Sequence, residues 1–244
     1  MMTASTMPLA AASDRRSGLP WGWIAVGGVL ALVAAQVYGV LTSPPDRDMG
    51  HLQKIMYLHV PAAWNAFIAF FVVAVASLRY LWKGRAADDL LAASAAEIGS
   101  LLTGLTLALG MLWGKPTWGI WWTWEPRTTS TAVLFFMFLA YLILRKFVDD
   151  PERRAQWSAV VGILGALNVP IVYMSVRWWR TLHQVQGSPM TLDSTYYIPL
   201  RINAVALMIV LVAFIAHRYR SAMITQAADD LEDRAALMEG GSRA

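Results

Sequence analysis

An all-α fold of six membrane-spanning helices is what this chain of 244 residues predicts, and three observations carry the prediction. Hydrophobic residues make up 57% of the chain and charged residues 15%, where a soluble domain carries about 25% charged residues. Six apolar runs each approach the roughly 20 residues needed to cross the hydrocarbon of a bilayer. Between the runs, lysine and arginine gather on alternate connections, the pattern left by orientation in a membrane.

The runs fall at about 21–41, 60–81, 90–113, 130–148, 158–176 and 200–217. The first, "WGWIAVGGVLALVAAQVYGV", follows Arg15 and Arg16 and could pass for a signal peptide; its apolar stretch is too long for one, and we read it as a retained helix. The second opens near Pro61, which is tolerated in a first turn because its missing N–H costs nothing there. The third contains Glu97, the one acidic residue well inside a run. The fourth follows Glu125 and Pro126. The fifth carries Asn168 and Pro170, marks of a bent or specially packed helix. The sixth ends before "QAADDLEDRAALMEG", where Leu231, Ala235 and Met238 share a helical face beside acidic positions and suggest a short amphipathic tail. The domain organisation expected is therefore an N-terminal segment 1–20, a membrane domain 21–217 and a tail 218–244.

Of the 20 lysines and arginines, 13 lie at the termini and on the connections after the second and fourth runs. The positive-inside bias then places both termini in the cytoplasm and turns the segments 42–59, 114–129 and 177–199 outward. The net charge of +4 accordingly speaks of topology and not of nucleic acid. Cysteine is absent, so thiol and disulfide chemistry would belong to a partner.

The outward segments hold the unusual residues. "GKPTWGIWWTWEPRTTS" places Trp118, Trp121, Trp122 and Trp124 within seven positions, followed by Glu125 and Arg127. An aromatic belt at the bilayer edge is the plain explanation; a platform for a large flat ligand is the functional one. Two of the four histidines, His59 and His183, lie in outward segments beside helix ends. Two neutral imidazoles can complete an octahedral haem iron without sulfur, and a guanidinium such as that of Arg127, Arg177 or Arg180 suits a propionate. Glu125 is placed either to cap the fourth helix or to orient an aromatic N–H or an imidazole.

The stretches "YLHVPAAW" (57–64), "WGKPTWGIWWTWEPRTTS" (113–130), "LNVPIVYMSVRWW" (167–179) and "TLHQ" (181–184) resemble the haem exporter protein C family of cytochrome c maturation, over roughly residues 20 to 220. The resemblance implies six transmembrane helices in a bacterial inner membrane, with haem b on the periplasmic face. It implies His59 and His183 as axial ligands, and a platform of Trp118, Trp121, Trp122, Trp124 and Arg127. It also implies partners: the ATPase and membrane subunits of an ABC transporter, a small single-span accessory protein, and a periplasmic haem chaperone that receives haem covalently. The chain has no P-loop, in keeping with a component that is not the ATPase. Where the family loop usually has Asp, this chain has Glu125. A membrane electron-transfer subunit holding b-type haem is the competing expectation.

Overall fold

The computed structural model describes residues 20–183 and 193–241, with side chains to 238. Residues 1–19 of the expected N-terminal segment, with Arg15 and Arg16, and also Gln184 and Arg243, thus fall outside the described residues. Among the described residues the fold is all-α, with six long helices: α1 (Trp21–Thr42), α2 (Met56–Lys83), α3 (Ala86–Trp118), α4 (Pro126–Phe147), α5 (Pro151–Trp178) and α6 (Ser194–Gly241). All six are long and apolar enough to cross a membrane.

The helices outrun the apolar stretches that predict them. Hydropathy marks only the part that needs hydrocarbon, while backbone hydrogen bonding carries the helix on through its polar ends. The 33 residues of α3 extend about 50 Å, against a hydrocarbon thickness of about 30 Å. Residues 218–241, expected as a separate tail helix, continue α6 without a break, and Leu231, Leu237 and Met238 there are exposed.

Pro61 differs from expectation. A 3-10 helix (His51–Ile55) runs straight into α2, which starts at Met56, so Pro61 sits beyond the first turn and deprives the Tyr57 carbonyl of its helical donor. The side chain of Gln36 on α1 supplies the replacement, donating Nε2–H to Tyr57 O at 3.0 Å. A side-chain hydrogen bond also ties α5 to α4, where Asn168 Nδ2 donates to Ser130 O at 3.0 Å.

Four helices meet through two stacked rings. Phe70 of α2 and Phe138 of α4 lie with centroids 3.7 Å apart and planes 10° from parallel, both fully buried. Glycine backs each of them: a Cβ on Gly99 of α3 would come within 2.7 Å of Phe70, and one on Gly165 of α5 within 2.9 Å of Phe138. The four layers are therefore glycine, ring, ring, glycine. At the end away from the 3-10 helix, Arg145 of α4 grips both oxygens of Asp89 on α3 at 2.5 and 2.7 Å, and Arg79 of α2 pairs with Asp88 at 3.1 Å. Glu97 is held by Arg218 of α6 at 2.5 and 3.0 Å, an ion pair between spans.

This packing makes a direct prediction. Gly99→Ala and Gly165→Ala each overpack the ring stack at a cost of about 1–3 kcal/mol. Each should lower the apparent thermal midpoint of the detergent-solubilised protein by several degrees, whereas Gly27→Ala, with nothing within 4 Å of its Cβ, should not. Equal midpoints for all three would show that the rings yield without penalty.

Candidate functional site

Gly119 and Pro126 bound the tryptophan loop. Gly119, at φ 79°, adopts the left-handed conformation that ends α3, and its N–H returns to Lys115 O at 3.0 Å. Pro126 takes the first position of α4, where its fixed φ suits the helix and its missing N–H is no loss. The irregular segment is thus residues 119–125, shorter than the expected 114–129, and Trp118 stands on the last turn of α3 while Trp121, Trp122 and Trp124 stand on the loop.

Below this loop, α2, α3, α4 and α5 enclose a cleft of about 1460 Å³ of empty space, part of it open to solvent. His59, Trp118, Trp121, Trp122, Arg127 and His183 all line it. Trp124 does not: it is 81% exposed and packs edge-on against Trp122, ring centroids 5.4 Å apart. Arg177 and Arg180 are exposed and also absent from the lining. The cleft continues inward past the histidines to Ala66, Phe67, Thr103, Thr131 and Val172. Its wall is mostly apolar, since the hydroxyls of Thr103, Thr106 and Thr131 turn back to carbonyls one helical turn away.

Each histidine has an indole beside it. Trp113 meets His59 edge-on at 5.7 Å, and Trp118 lies tilted against His183 at 5.1 Å. His59 is further confined by Gly110, where a Cβ would stand 3.3 Å from its Cε1. Its Nδ1 is buried with no hydrogen-bond partner, as are the indole nitrogens of Trp113 and Trp122. Thr106, Gly110 and Trp113 recur at helical spacing on α3, so this wall was legible as a small-small-aromatic stripe, though sequence reasoning did not single it out.

His183 is fixed by Glu125. The buried carboxylate contacts His183 Nδ1 through Oε1, which also accepts from Thr128 Oγ1 at 3.0 Å. Oε2 accepts from Thr181 Oγ1 and from Leu182 N–H, the latter at 2.7 Å. Glu125 makes no side-chain cap to its helix, so of the two roles open to it, orientation of an imidazole is the one observed. Burial works to raise its pKa, but Thr181, the neighbouring imidazole, the Leu182 amide and Thr128 together hold the carboxyl below its ordinary value. Burial also depresses His183, outweighing the carboxylate that opposes it, and Arg127 adds to the depression. The imidazole is accordingly neutral at pH 7, donating from Nδ1 and leaving Nε2 as a lone-pair donor. Arg127 is ordered from α5, its Nε donating to Ser175 Oγ at 3.0 Å and Nη2 to Tyr173 O at 3.1 Å.

Comparison with known proteins agrees in one direction. A family model described as Heme exporter protein C matches residues 6–234. The Heme exporter protein C of Bradyrhizobium diazoefficiens is 40% identical over 188 residues, 75% of this chain and 71% of that protein. That of Rhodobacter capsulatus is 32% identical over 225 residues, 89% of this chain and 92% of that protein. That of Escherichia coli K12 is 36% identical over 163 residues, 66% of each.

The junction at Glu125 has a definite pH response. His183 binds its proton more weakly when folded, so stability is fully present above its unfolded pKa of 6.5 and is lost as pH falls below it. Glu125 adds a second loss below 4.5, through its lower folded value. The hydrogen-exchange protection factor of the Leu182 amide should be level above pH 6.5 and decline in those two steps. The four contacts make Glu125→Gln disruptive here, because an amide cannot accept at both positions. Glu125→Gln should lower the Leu182 protection throughout, and a protection factor that stays level to pH 4 in the unaltered protein would contradict the assignment.

Proposed function

The chain belongs to the heme exporter protein C family, and from that premise we propose that its cleft receives haem and presents it, as cargo, for cytochrome c biogenesis. The family handles haem without catalysing a reaction of its own. Six apolar helices suit a bacterial inner membrane. The charge asymmetry supports cytoplasmic termini and a periplasmic cleft.

The observation that carries the reading is the pairing of two neutral-capable imidazoles on one apolar, indole-lined cleft. Two imidazoles suffice for an iron whose four equatorial positions are filled by its own macrocycle. In this reading His59 and His183 are the axial ligands, with Glu125 fixing the tautomer and tilt of His183 as carboxylates commonly do for metal-bound histidine. Trp118, Trp121 and Trp122 offer faces to a flat apolar ring, and Arg127 offers its remaining donors to a propionate. Haem b, bound without covalent attachment, fits a chain that lacks cysteine.

Transfer follows from the asymmetry of the two ligands. His59 is part of α2 and is held in the bundle. His183 stands on an irregular segment after α5 and owes its place to the Glu125 junction. Release would begin on the His183 side, toward Trp121 and Trp124, both exposed and suited to meet a periplasmic haem chaperone. ATP hydrolysis and any membrane passage belong, in this proposal, to the ABC transporter subunits, with the small single-span protein as an accessory.

Purified from membranes, the protein should carry haem with the absorption of a six-coordinate low-spin b-type centre. His59→Ala combined with His183→Ala should abolish that spectrum while circular dichroism stays helical. An unchanged spectrum in the double variant would remove the axial assignment, and protein that never holds haem would remove the function.

A further inference from the structure

Among the described residues, the connection between α1 and α2 contributes one residue to the cleft wall, Met49. Nothing in the sequence pattern singles this residue out, yet the loop around it is built to hold it. Its N–H donates to Asp46 Oδ1 at 3.0 Å, and its carbonyl accepts from Leu52 N–H at 3.1 Å. Asp46 Oδ1 also accepts from the Asp48 amide at 2.9 Å. Asp46 and Gly50 exchange both backbone hydrogen bonds at 3.0 Å, and Gly50, at φ 57°, supplies the left-handed corner that closes the loop. Lys54 Nζ, donating to Val40 O at 2.6 Å, ties the following 3-10 helix to the end of α1.

We propose that Met49 is a contact residue for the flat ligand of the cleft, its side chain packing on the ring from the α1–α2 loop, and that Asp46 is the positioning residue that keeps it there. This rests on the reading of the cleft as a haem site. Methionine conforms to irregular apolar surfaces, and its sulfur makes favourable contacts with aromatic rings. With both main-chain groups already tied, little further ordering is needed when the ligand arrives. Since His59 and His183 fill the axial positions in that reading, the side chain acts by covering the ring and not by ligating iron. Asp46 does so indirectly, through an acceptor that asparagine would also provide.

The test is the rate at which the haem-loaded full-length protein in detergent gives up haem to excess apomyoglobin, read with its absorption spectrum and thermal midpoint. Met49→Ala should speed the loss roughly two- to tenfold, the span expected for one such contact, while the low-spin spectrum and the midpoint of the ligand-free protein hold. Met49→Leu, which keeps the volume, should return the rate to within about twofold of the unaltered protein. Asp46→Ala should match Met49→Ala, and Asp46→Asn should match the unaltered protein. A Met49→Ala rate equal to that of the unaltered protein overturns the proposal, and so does loss of the low-spin spectrum in Met49→Ala, which would make the sulfur an iron ligand. Fast loss in Asp46→Asn as well would overturn the part assigned to Asp46. If the unaltered protein holds no haem, the reading of the cleft itself fails; if it holds haem and only the Met49 result is flat, this inference fails alone.

Discussion

Glu125 joins two stretches of chain far apart in sequence: the tryptophan loop at the head of α4 and the irregular segment after α5. Its two oxygens serve Thr128, Thr181, the Leu182 amide and His183, so neither stretch can shift without leaving a buried carboxylate short of partners. An unpaired buried charge costs more than a pair contributes, which makes the junction intolerant of partial solutions. The position of His183 at the cleft mouth depends on that group.

The rest of the bundle holds the other histidine still. His59 rides on α2, whose buried Phe70 is stacked on Phe138 and backed by Gly99, so the helix is gripped from two sides about three turns below the site. Close glycine packing of this kind suits a membrane interior, where lipid tails are as apolar as side chains and only tight fit favours helix against helix. The cleft thus has one histidine set in a rigid span and one on a loop held by hydrogen bonds. Under the proposed function, presenting a cargo requires both retention and release, and the two histidines would divide those requirements between them.

Much of this was legible in the sequence, because spans announce themselves by length and hydropathy and because tryptophan, histidine and arginine are conspicuous in outward segments. Helix ends were less so: the polar turns at Ala86, Met56 and Ser194 lie beyond what hydropathy can mark. Pro61 misled because its neighbour Gln36, which repairs the lost hydrogen bond, is far off in sequence. Trp124 sits in the same run as Trp121 and Trp122 but points away, a matter of loop conformation that spacing does not encode. Glu125 read equally as a cap or an orienter until Thr181 and His183 were placed beside it, 56 and 58 residues along the chain. Met49 carried no signal, being one ordinary residue in a short polar connection.

The proposed function requires iron held between His59 and His183. Electron–nuclear double resonance on the ferric haem-loaded protein, grown with nitrogen-15 histidine, reads that directly, since only nitrogen bound to the iron couples strongly. Strong coupling to two imidazole nitrogens is expected, one lost in His59→Ala and the other in His183→Ala. Coupling to one imidazole or none in the unaltered protein, or two that survive either substitution, would contradict it.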